Sequence, residues 1–596
     1  MAAAMIDPAR PFVLLDDARD GASPARLYRE PIAVVTTREP QQVRACLDRL
    51  RKGRGEGLHA AGFLAYEAGH ALEKKLAPLS QRPAEDAPPL LWFGLFERCE
   101  RVGEVEAVLP DPASAWVSPP RPLVARAAYE IAVAQVKAHI EAGDIYQANL
   151  SFDTEVAIEG SPLAAYARLR RRARAGHGAL LFTGEHWLLS LSPELFFELR
   201  GTRVTTRPMK GTATRGATAA ADRAAADALR ADPKQRAENL MIVDLLRNDL
   251  SRVSKPHSVL VPALFAVESY PTVHQLTSTV TGELEDGVDA ITLLETIFPC
   301  GSITGAPKIR AMELIAAIEA RPRGVYTGAI GSVAPGGDAS FNVAIRTLTM
   351  KAGGNHASLG LGSGIVADSR AADEWRECVA KGAFVSDGGG FDLIETMRFD
   401  PEEGIAELER HLARIGASAA ALGFAFDRHG ARNELQAATF HLREPRLVRL
   451  LLSPAGKTAI ECRPLPATPA EPVAVALAPL PVAGDDFRLR HKTSDRAFYD
   501  KASAAAGCFE TVFVGLDGFL TEASFTNIFV EKDGRILTPP LARGLLPGVL
   551  RAKLIDEGRV VEADLTIDDL AADFYIGNAV RGFVLARVTA GSASPR

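Results

Sequence analysis

The sequence predicts a mixed α/β (α+β) fold in more than one domain, and three observations carry that expectation. The chain has 596 residues, 47% of them hydrophobic, more than one core can use, since domains typically hold about 100–200 residues. Strand and helix patterns are interspersed along the whole length. One run, Ser386-Asp387-Gly388-Gly389-Gly390, interrupts them, because successive glycines impose almost no backbone preference.

Taken in order, Pro110–Pro122 is rich in proline and small residues and reads as a surface crossing. Tyr129–Ala142 has helical spacing, Ala179–Thr183 and Phe196–Leu199 read as strands, and Ala219–Arg230 as an Ala-rich surface helix. Residues 237–250 form a helix pattern with Glu238 near its start, and Ile309–Ala320 forms another. Beyond the glycine run, Phe391–Phe399 looks like a new strand and Ala406–Leu422 like an amphipathic helix. The expected domains are therefore 1–386 and 391–596, joined by a Gly-rich linker at 387–390, with no internal repeat.

Composition excludes several function classes. A formal net charge of −6 and a pI near 6.1 argue against nucleic-acid binding, which needs a concentrated basic face. The one basic cluster, Arg168–Arg174, sits at helical spacing and reads as a solvated helix face. Six scattered cysteines lack a CxxC pair or a histidine at metal spacing, so neither a disulfide scaffold nor a zinc site is expected. The start MAAAMIDPARPF has no basic-then-apolar pattern of a signal peptide, and no apolar stretch approaches the roughly 20 residues of a membrane span. The expectation is a cytoplasmic protein with no membrane partner.

Two local patterns invite a chemical reading. Gly360-Leu361-Gly362-Ser363-Gly364 suggests a dinucleotide loop, but G-x-G-x-x-G needs a glycine where Ile365 stands; a glycine-rich turn can still bring backbone N–H groups to an anion. Glu374 and Glu377 are three apart and share a helix face with Lys381 one turn on. Spacing alone makes these solvated ion pairs. Mg²⁺ would need hard oxygen ligands such as these carboxylates, completed by substrate oxygens and water.

A larger constellation carries more. GDIYQANLS (143–151), Ser192-Pro193-Glu194-Leu195, RPMKG (207–211), Glu238–Leu250, FPCGSITGAPK (298–308), YTGAIG (326–331), Ala344-Ile345-Arg346-Thr347 and GSGI (362–365) occur in this order. Together they resemble the chorismate-utilising family of anthranilate, aminodeoxychorismate, isochorismate and salicylate synthases, over about residues 10–385. The resemblance implies a two-layer sandwich with chorismate and Mg²⁺ in a cleft. It implies that Glu238 and Glu377 hold Mg²⁺, with Glu374 behind them as an outer or water-mediated ligand, and that Glu194 is the general acid at the ring 4-hydroxyl. Tyr326 and Arg346 would grip the enolpyruvyl carboxylate. Thr304, Gly305 and the backbone of Gly362, Ser363 and Gly364 would complete an anion cradle, and His274 matches the family's active-site histidine. Gln147, Gly211, Thr212 and Lys381 complete the substrate-binding set.

Two positions select within that family. Isochorismate and salicylate synthases carry a water-activating lysine where this chain has Gln147, and an amide cannot take that proton. Aminodeoxychorismate synthases often read P-I-K-G-T where this chain reads Pro208-Met209-Lys210-Gly211-Thr212. The chemistry implied is attack of Lys210 at ring C2, loss of the C4 hydroxyl, then ammonia addition at C4 with departure of the lysine. None of the cysteines lies in a G-x-C-x-G elbow, so ammonia is expected from a separate glutamine amidotransferase subunit.

The second half, over about 391–590, resembles fold-type IV pyridoxal-phosphate (PLP) enzymes: branched-chain and D-amino-acid aminotransferases and aminodeoxychorismate lyase. The residues are Phe391–Phe399, Leu408–Leu422, Leu447–Ser453, RHKTSDR (490–496), GFLTEASFTNIFV (518–530), TPPLARGLLPGVLR (538–551) and IGNAV (576–580). The resemblance implies that Lys492 is the PLP lysine, that Glu522 faces the pyridine nitrogen and keeps the ring an electron sink, and that Arg414 binds the phosphate with backbone around Val549 and Leu550 and with Asn578. One departure stands out: the family's N-G turn and D-R-G-x-x-Y-G-D-G stretch before the first strand have no counterpart here. The joint implication is 4-aminobenzoate synthesis for folate, by amination of chorismate to 4-amino-4-deoxychorismate and elimination of pyruvate. An anthranilate synthase fused to a class IV aminotransferase is the nearest alternative, and an inactive chorismate-sensing regulator is one of another class; the filled charged positions speak against the latter.

Overall fold

The computed structural model describes residues 5–270, 273–319, 321–386 and 390–589. The linker expected at 387–390 therefore lies outside the described residues except for Gly390, as does Ala320 at the end of the expected helix, which runs Lys308–Ile318. The chain divides into two compact units: Met1–Asp111, Pro119–Val156 and Tyr166–Ser386 in the first, and Pro112–Ser118, Ala157–Ala165 and Asp387–Arg596 in the second. A single cut near 386–391 is thus not the whole division, because two short segments from the first half of the sequence belong to the second unit.

The first unit is built on two large, mainly antiparallel sheets. In one, the order runs Gly305–Ala306, Gln147–Glu159 (whose residues 147–156 belong to this unit), His356–Ile365, Thr347–Lys351, His186–Ser192, His177–Phe182, Phe12–Asp16, Ala25–Arg29. In the other it runs Met209–Thr214, Val273–Glu283, Arg203–Arg207, Leu195–Arg200, Ala339–Val343, Ala329–Val333, His59–Leu64, Leu91–Phe96. Alternation along the strands sets the layers: Val13, Leu15, Leu181 and Leu188 of the first sheet meet Phe63, Trp92, Phe96 and Ile330 of the second in one core. The outer face of the second sheet is covered by helices, with Leu47 and Leu50, Ile242, Val243 and Leu246, and Leu293 and Leu294 packed on Phe93, Phe197 and Phe341. The expected sandwich is therefore present.

Two helices of this unit carry the acidic candidates. Pro233–Ser251 starts at Pro233, whose fixed φ suits a first turn, and is capped by Asp232, which accepts the Gln235 N–H at 3.0 Å. Ala371–Gly382 is pinned by Trp375, stacked on Phe152 at 4.8 Å and 15° and set 5.5 Å from the ring of Tyr129.

In the second unit a four-stranded sheet, Gly404–Ile405, Leu393–Asp400, Arg446–Leu452, Thr458–Pro464, packs against the helices Leu408–Leu422 and Arg428–Thr439 through Met397, Leu412, Ile415, Val448 and Leu450. The first helix ends where Gly423 turns left-handed at φ 72°. A further sheet of eight strands, four of them Val473–Pro479, Glu510–Val514, Asn527–Lys532 and Phe574–Asn578, has its own core around Val475, Val512, Ile528 and Ile576. The segment expected to be a surface crossing is instead buried at Trp116 and Val117. The indole of Trp116 sits in the core with Met397 and Leu412, and composition alone could not show that a proline-rich stretch carries one large apolar anchor.

Candidate active sites

In the first unit a cleft of ≈ 520 Å³ is lined by the catalytic candidates Glu194 and Lys210, the acids Glu238, Glu374 and Glu377, and Tyr326, Arg346 and Lys381. Lys210 lies 3.3 Å from Glu238, and Lys381 lies 2.7 Å from Glu377 and donates to the Gly362 carbonyl at 3.0 Å. Glu374 accepts the Ser369 hydroxyl at 2.7 Å. Glu194 is 4% exposed and its Oε1 has no partner among the described residues. Burial pushes its carboxyl up to about 7 against the pull of Ser302, Lys210 and Lys381, so near neutral pH it can hold a proton to give. Burial also pushes Glu377 up, but Lys381 at contact, with Lys210 and Lys234, outweighs it and holds that carboxyl below the ordinary range. Tyr326 is pushed up to about 12 by burial and stays a neutral hydroxyl.

The glycine-rich run is not a loop. Gly360, Gly362 and Gly364 lie inside the strand His356–Ile365, and their φ values are not positive. Their purpose is clearance. A Cβ on Gly360 would sit 2.3 Å from the Tyr326 ring, one on Gly362 3.0 Å from its hydroxyl, and one on Gly364 2.8 Å from Lys210 Nζ. The ring of Tyr326 requires glycine at 360, while at 364 the end of the flexible Lys210 side chain could give way.

Other expected residues stand behind the cleft rather than in it. His274 is buried, with Nε2 on Asp222 at 3.0 Å and Nδ1 on Ser269 at 2.9 Å, while its strand neighbours Val273 and Gln275 line the cleft. Alternation turns the ring away, towards the helix Ala219–Ala231 that carries Asp222. Ser363 points similarly outward, to Tyr129 at 3.0 Å. Thr304 donates to the Cys300 and Gly301 carbonyls. Gly305 has φ 153°, and a Cβ there would meet the Gln147 carbonyl at 2.2 Å, so it serves close strand approach. Gln147 is buried with its amide oxygen unpartnered among the described residues, and its amide would lie 3.8 Å from a Cβ on Gly364. Gly211 and Thr212 line the cleft. So do Asn149, Ser302 and Lys234, which the sequence reading did not single out. The first two fall inside the quoted motifs, and Lys234 lies one helical turn before Glu238.

In the second unit a cavity of ≈ 590 Å³ gathers Lys492, Arg414, Glu522, Val549 and Asn578. Burial, with Arg414 nearby, lowers the Lys492 ammonium to about 7. Glu522 is pushed up to about 7 by burial, although it accepts the Tyr499 hydroxyl and, at 3.0 Å, the Leu546 N–H. Arg414 is held by Glu395 through bonds of 2.8 and 2.6 Å and donates to the Pro547 carbonyl at 3.1 Å. His411 contacts the same carboxylate at 2.6 Å. Glu395 was missed, although it lies in the quoted strand; burial raises its carboxyl, but Arg414 and His411 take it down to about 2. The helix Val549–Asp556 opens at Gly548, which supplies no side-chain cap, and a Cβ there would fall 1.8 Å from Asn527 Oδ1. The Leu550 side chain packs outside the cavity, beside Phe529 and Tyr575, so only its backbone can serve. Asn578 Oδ1 accepts the Val580 and Arg581 N–H groups at 3.0 Å and shapes the turn there.

Among the described residues no helix is long and apolar enough to cross a membrane, and no three His, Cys, Asp or Glu side chains are gathered to hold a metal ion. Residues 392–588 match the amino-transferase class IV model, and this segment has that fold. The aminodeoxychorismate synthase component 1 of Salmonella typhimurium is 45% identical over 268 residues, which cover 45% of this chain and 58% of the relative. The anthranilate synthase component 1 of Haloferax volcanii is 38% identical over 322 residues, 54% of this chain and 60% of the relative. The chain thus spans less than two thirds of the length of these curated relatives. The crystal structure of anthranilate synthase component I from Streptococcus pneumoniae is 27% identical, with a TM-score of 0.52, covering 61% of this chain and 92% of that one. Residues 10–387 match the chorismate binding enzyme model, and the chain belongs to that family.

Proposed function

We propose that the chain makes 4-aminobenzoate in two steps: amination of chorismate to 4-amino-4-deoxychorismate in the first unit, and elimination of pyruvate in the second. The observation that carries the reading is Lys210 in the same cleft as Glu194, a buried carboxyl placed near 7. An amine and a carboxylic acid facing one substrate suit displacement of a ring hydroxyl: Lys210 Nζ bonds to C2, the C4–O bond breaks, and Glu194 gives its proton to the departing oxygen. Ammonia then bonds at C4 and the C2–N bond to Lys210 breaks, which restores the lysine and leaves nitrogen at C4. Tyr326 and Arg346 are available for the enolpyruvyl carboxylate.

Glu238 and Glu377, with Glu374, would hold Mg²⁺. Their hard carboxylate oxygens face one cleft, and Mg²⁺ commonly takes one or two protein carboxylates and completes its shell with substrate oxygen and water, so the set fits although three acids are not clustered. The ion would balance the ring carboxylate of chorismate. In the second cavity the residues fit PLP: a buried lysine, an arginine fixed by Glu395, a helix start without side-chain cap, and a buried carboxylate held by a hydroxyl and a backbone N–H. PLP would supply an electron sink at the substrate carbon. Lys492, neutral in part near pH 7, would take the C4 proton and return one to the leaving enolpyruvyl methylene.

Ammonia would come from a separate glutamine amidotransferase, and the reaction would run in the cytoplasm, where the six free cysteines stay reduced. Likeness to anthranilate synthases makes 2-aminobenzoate the rival product. Incubating the protein with chorismate, ammonia, Mg²⁺ and PLP and identifying the aromatic product separates the two: 4-aminobenzoate is expected, and 2-aminobenzoate would overturn the assignment.

A further inference from the structure

The second unit contains residues 112–118 and 157–165, both from the stretch that matches the chorismate binding enzyme model. These segments pair antiparallel, with Trp116 opposite Glu159 and Val117 opposite Ile158. Trp116 anchors the pair. Its indole N–H donates to the Leu422 carbonyl at 2.9 Å, and its ring meets Phe391 at 4.8 Å and 64°. Gly423, just past the helix Leu408–Leu422, leaves room for Ser118, whose Cβ lies 2.8 Å from where a side chain would begin.

From that anchored strand Glu159 reaches His491, with Oε2 3.7 Å from Nε2, and both side chains are only 11% exposed. The other ring nitrogen, Nδ1, lies 3.0 Å from the Ser418 hydroxyl. Ser418 is one helical turn beyond Arg414, and His491 directly precedes Lys492, whose carbonyl accepts the Ile394 N–H at 2.8 Å. His491 itself lines the cavity. A carboxylate at Nε2 favours the tautomer protonated there, which leaves Nδ1 to accept from Ser418. The ring then ties the Lys492 segment to the Arg414 helix.

We infer that Glu159, carried into this unit on residues 157–165, is a positioning residue of the second site, acting through His491. The inference rests on the second half of the proposed function only in taking PLP as the ligand.

The test uses the full chain without PLP. Glu159→Gln keeps the shape and removes the charge, so it should weaken PLP binding at least tenfold, measured by absorbance titration. It should also move the His491 ring ¹⁵N signals, assigned by their loss in His491→Gln, toward a mixed tautomer, which a purely structural role would not do. Trp116→Ala should cause the same loss of PLP affinity; if it does not fold, Glu159→Gln still decides. An unchanged ring signal, or a PLP Kd within twofold of the parent, overturns the inference. Neither readout involves turnover, so failure of the parent to form 4-aminobenzoate would defeat the proposed function and leave this result standing.

Discussion

Replacing Glu194 by Gln separates what burial does for chemistry from what it costs in stability. The carboxyl ordinarily titrates at 4.5 and is pushed up to about 7 in the folded chain, so ionising it inside costs about 3 kcal/mol more than in the unfolded chain. The sign follows from proton linkage: between pH 4.5 and 7 the folded state holds a proton that the unfolded state has released. The favourable contribution is complete below 4.5 and is lost as pH rises through 7. Glu194→Gln cannot ionise, so at pH 8 it should unfold with more stability than the parent, by up to about 3 kcal/mol, and by much less at pH 5. Its chorismate consumption with ammonia should fall by about 10²–10⁴-fold, the usual contribution of a general acid. Denaturant melts at the two pH values can be followed by fluorescence of Trp92, Trp187 and Trp375, which belong to the first unit. A variant that turns over within tenfold of the parent, or whose stability difference is the same at pH 5 and 8, would refute the reasoning.

Lys210→Ala should cut 4-amino-4-deoxychorismate formation by at least about 10²-fold while PLP binding is retained, with some 2-amino product as ammonia attacks C2 directly; undiminished 4-amino product would exclude the covalent lysine. Chelation by EDTA should stop chorismate consumption and spare turnover of supplied 4-amino-4-deoxychorismate, since the acids that face the cleft all lie in the first unit; equal loss of both activities would count against separate sites. Lys492→Ala should accumulate 4-amino-4-deoxychorismate, and adding a separate lyase should restore 4-aminobenzoate. A folded variant that no longer consumes chorismate would show that the second site is needed by the first.

Much of the fold and of both sites was legible in the sequence where a residue's neighbours in the chain determine its place. The helix with Glu238 announces itself by its apolar spacing, although it starts at Pro233, four residues before the expected 237, and the triplet Glu374, Glu377, Lys381 shows by helical periodicity. What failed to show depends on contacts distant in sequence. The glycines at 360, 362 and 364 look like a phosphate loop, and only the positions of Tyr326 and Lys210 reveal that they clear space within a strand. His274 has a motif match, yet strand alternation aims it at Asp222 rather than the cleft. Trp116 sits in a stretch whose composition speaks of surface, and its partners Phe391 and Phe424 are some 300 residues away along the chain.

Charge state is the other thing the sequence withholds, and here burial does the same work at both sites. Removing water disfavours the charged form whatever its sign, so a buried acid moves up and a buried amine moves down. Glu194 and Glu522 rise to about 7, and Lys492 falls to about 7. Burial alone does not single out functional groups, as Glu395 shows. It is as deeply enclosed as Glu522, in the same unit, yet Arg414 and His411 carry it to about 2. Glu522 is bonded to a tyrosine hydroxyl and one backbone N–H, and the pull of Arg496 does not offset its burial. A fully paired carboxylate is an anchor, and here it fixes the arginine. A buried carboxylate with no cation bonded to it remains poised to take one, and a protonated ring nitrogen in the cavity that Glu522 lines would supply it. Replacing Glu395 by Gln should therefore loosen Arg414 and weaken phosphate capture. Replacing Glu522 by Gln should leave phosphate capture largely intact and remove the charge that keeps the ring protonated. A titration of both variants with inorganic phosphate distinguishes the two roles, and equal weakening in both would contradict this division of labour.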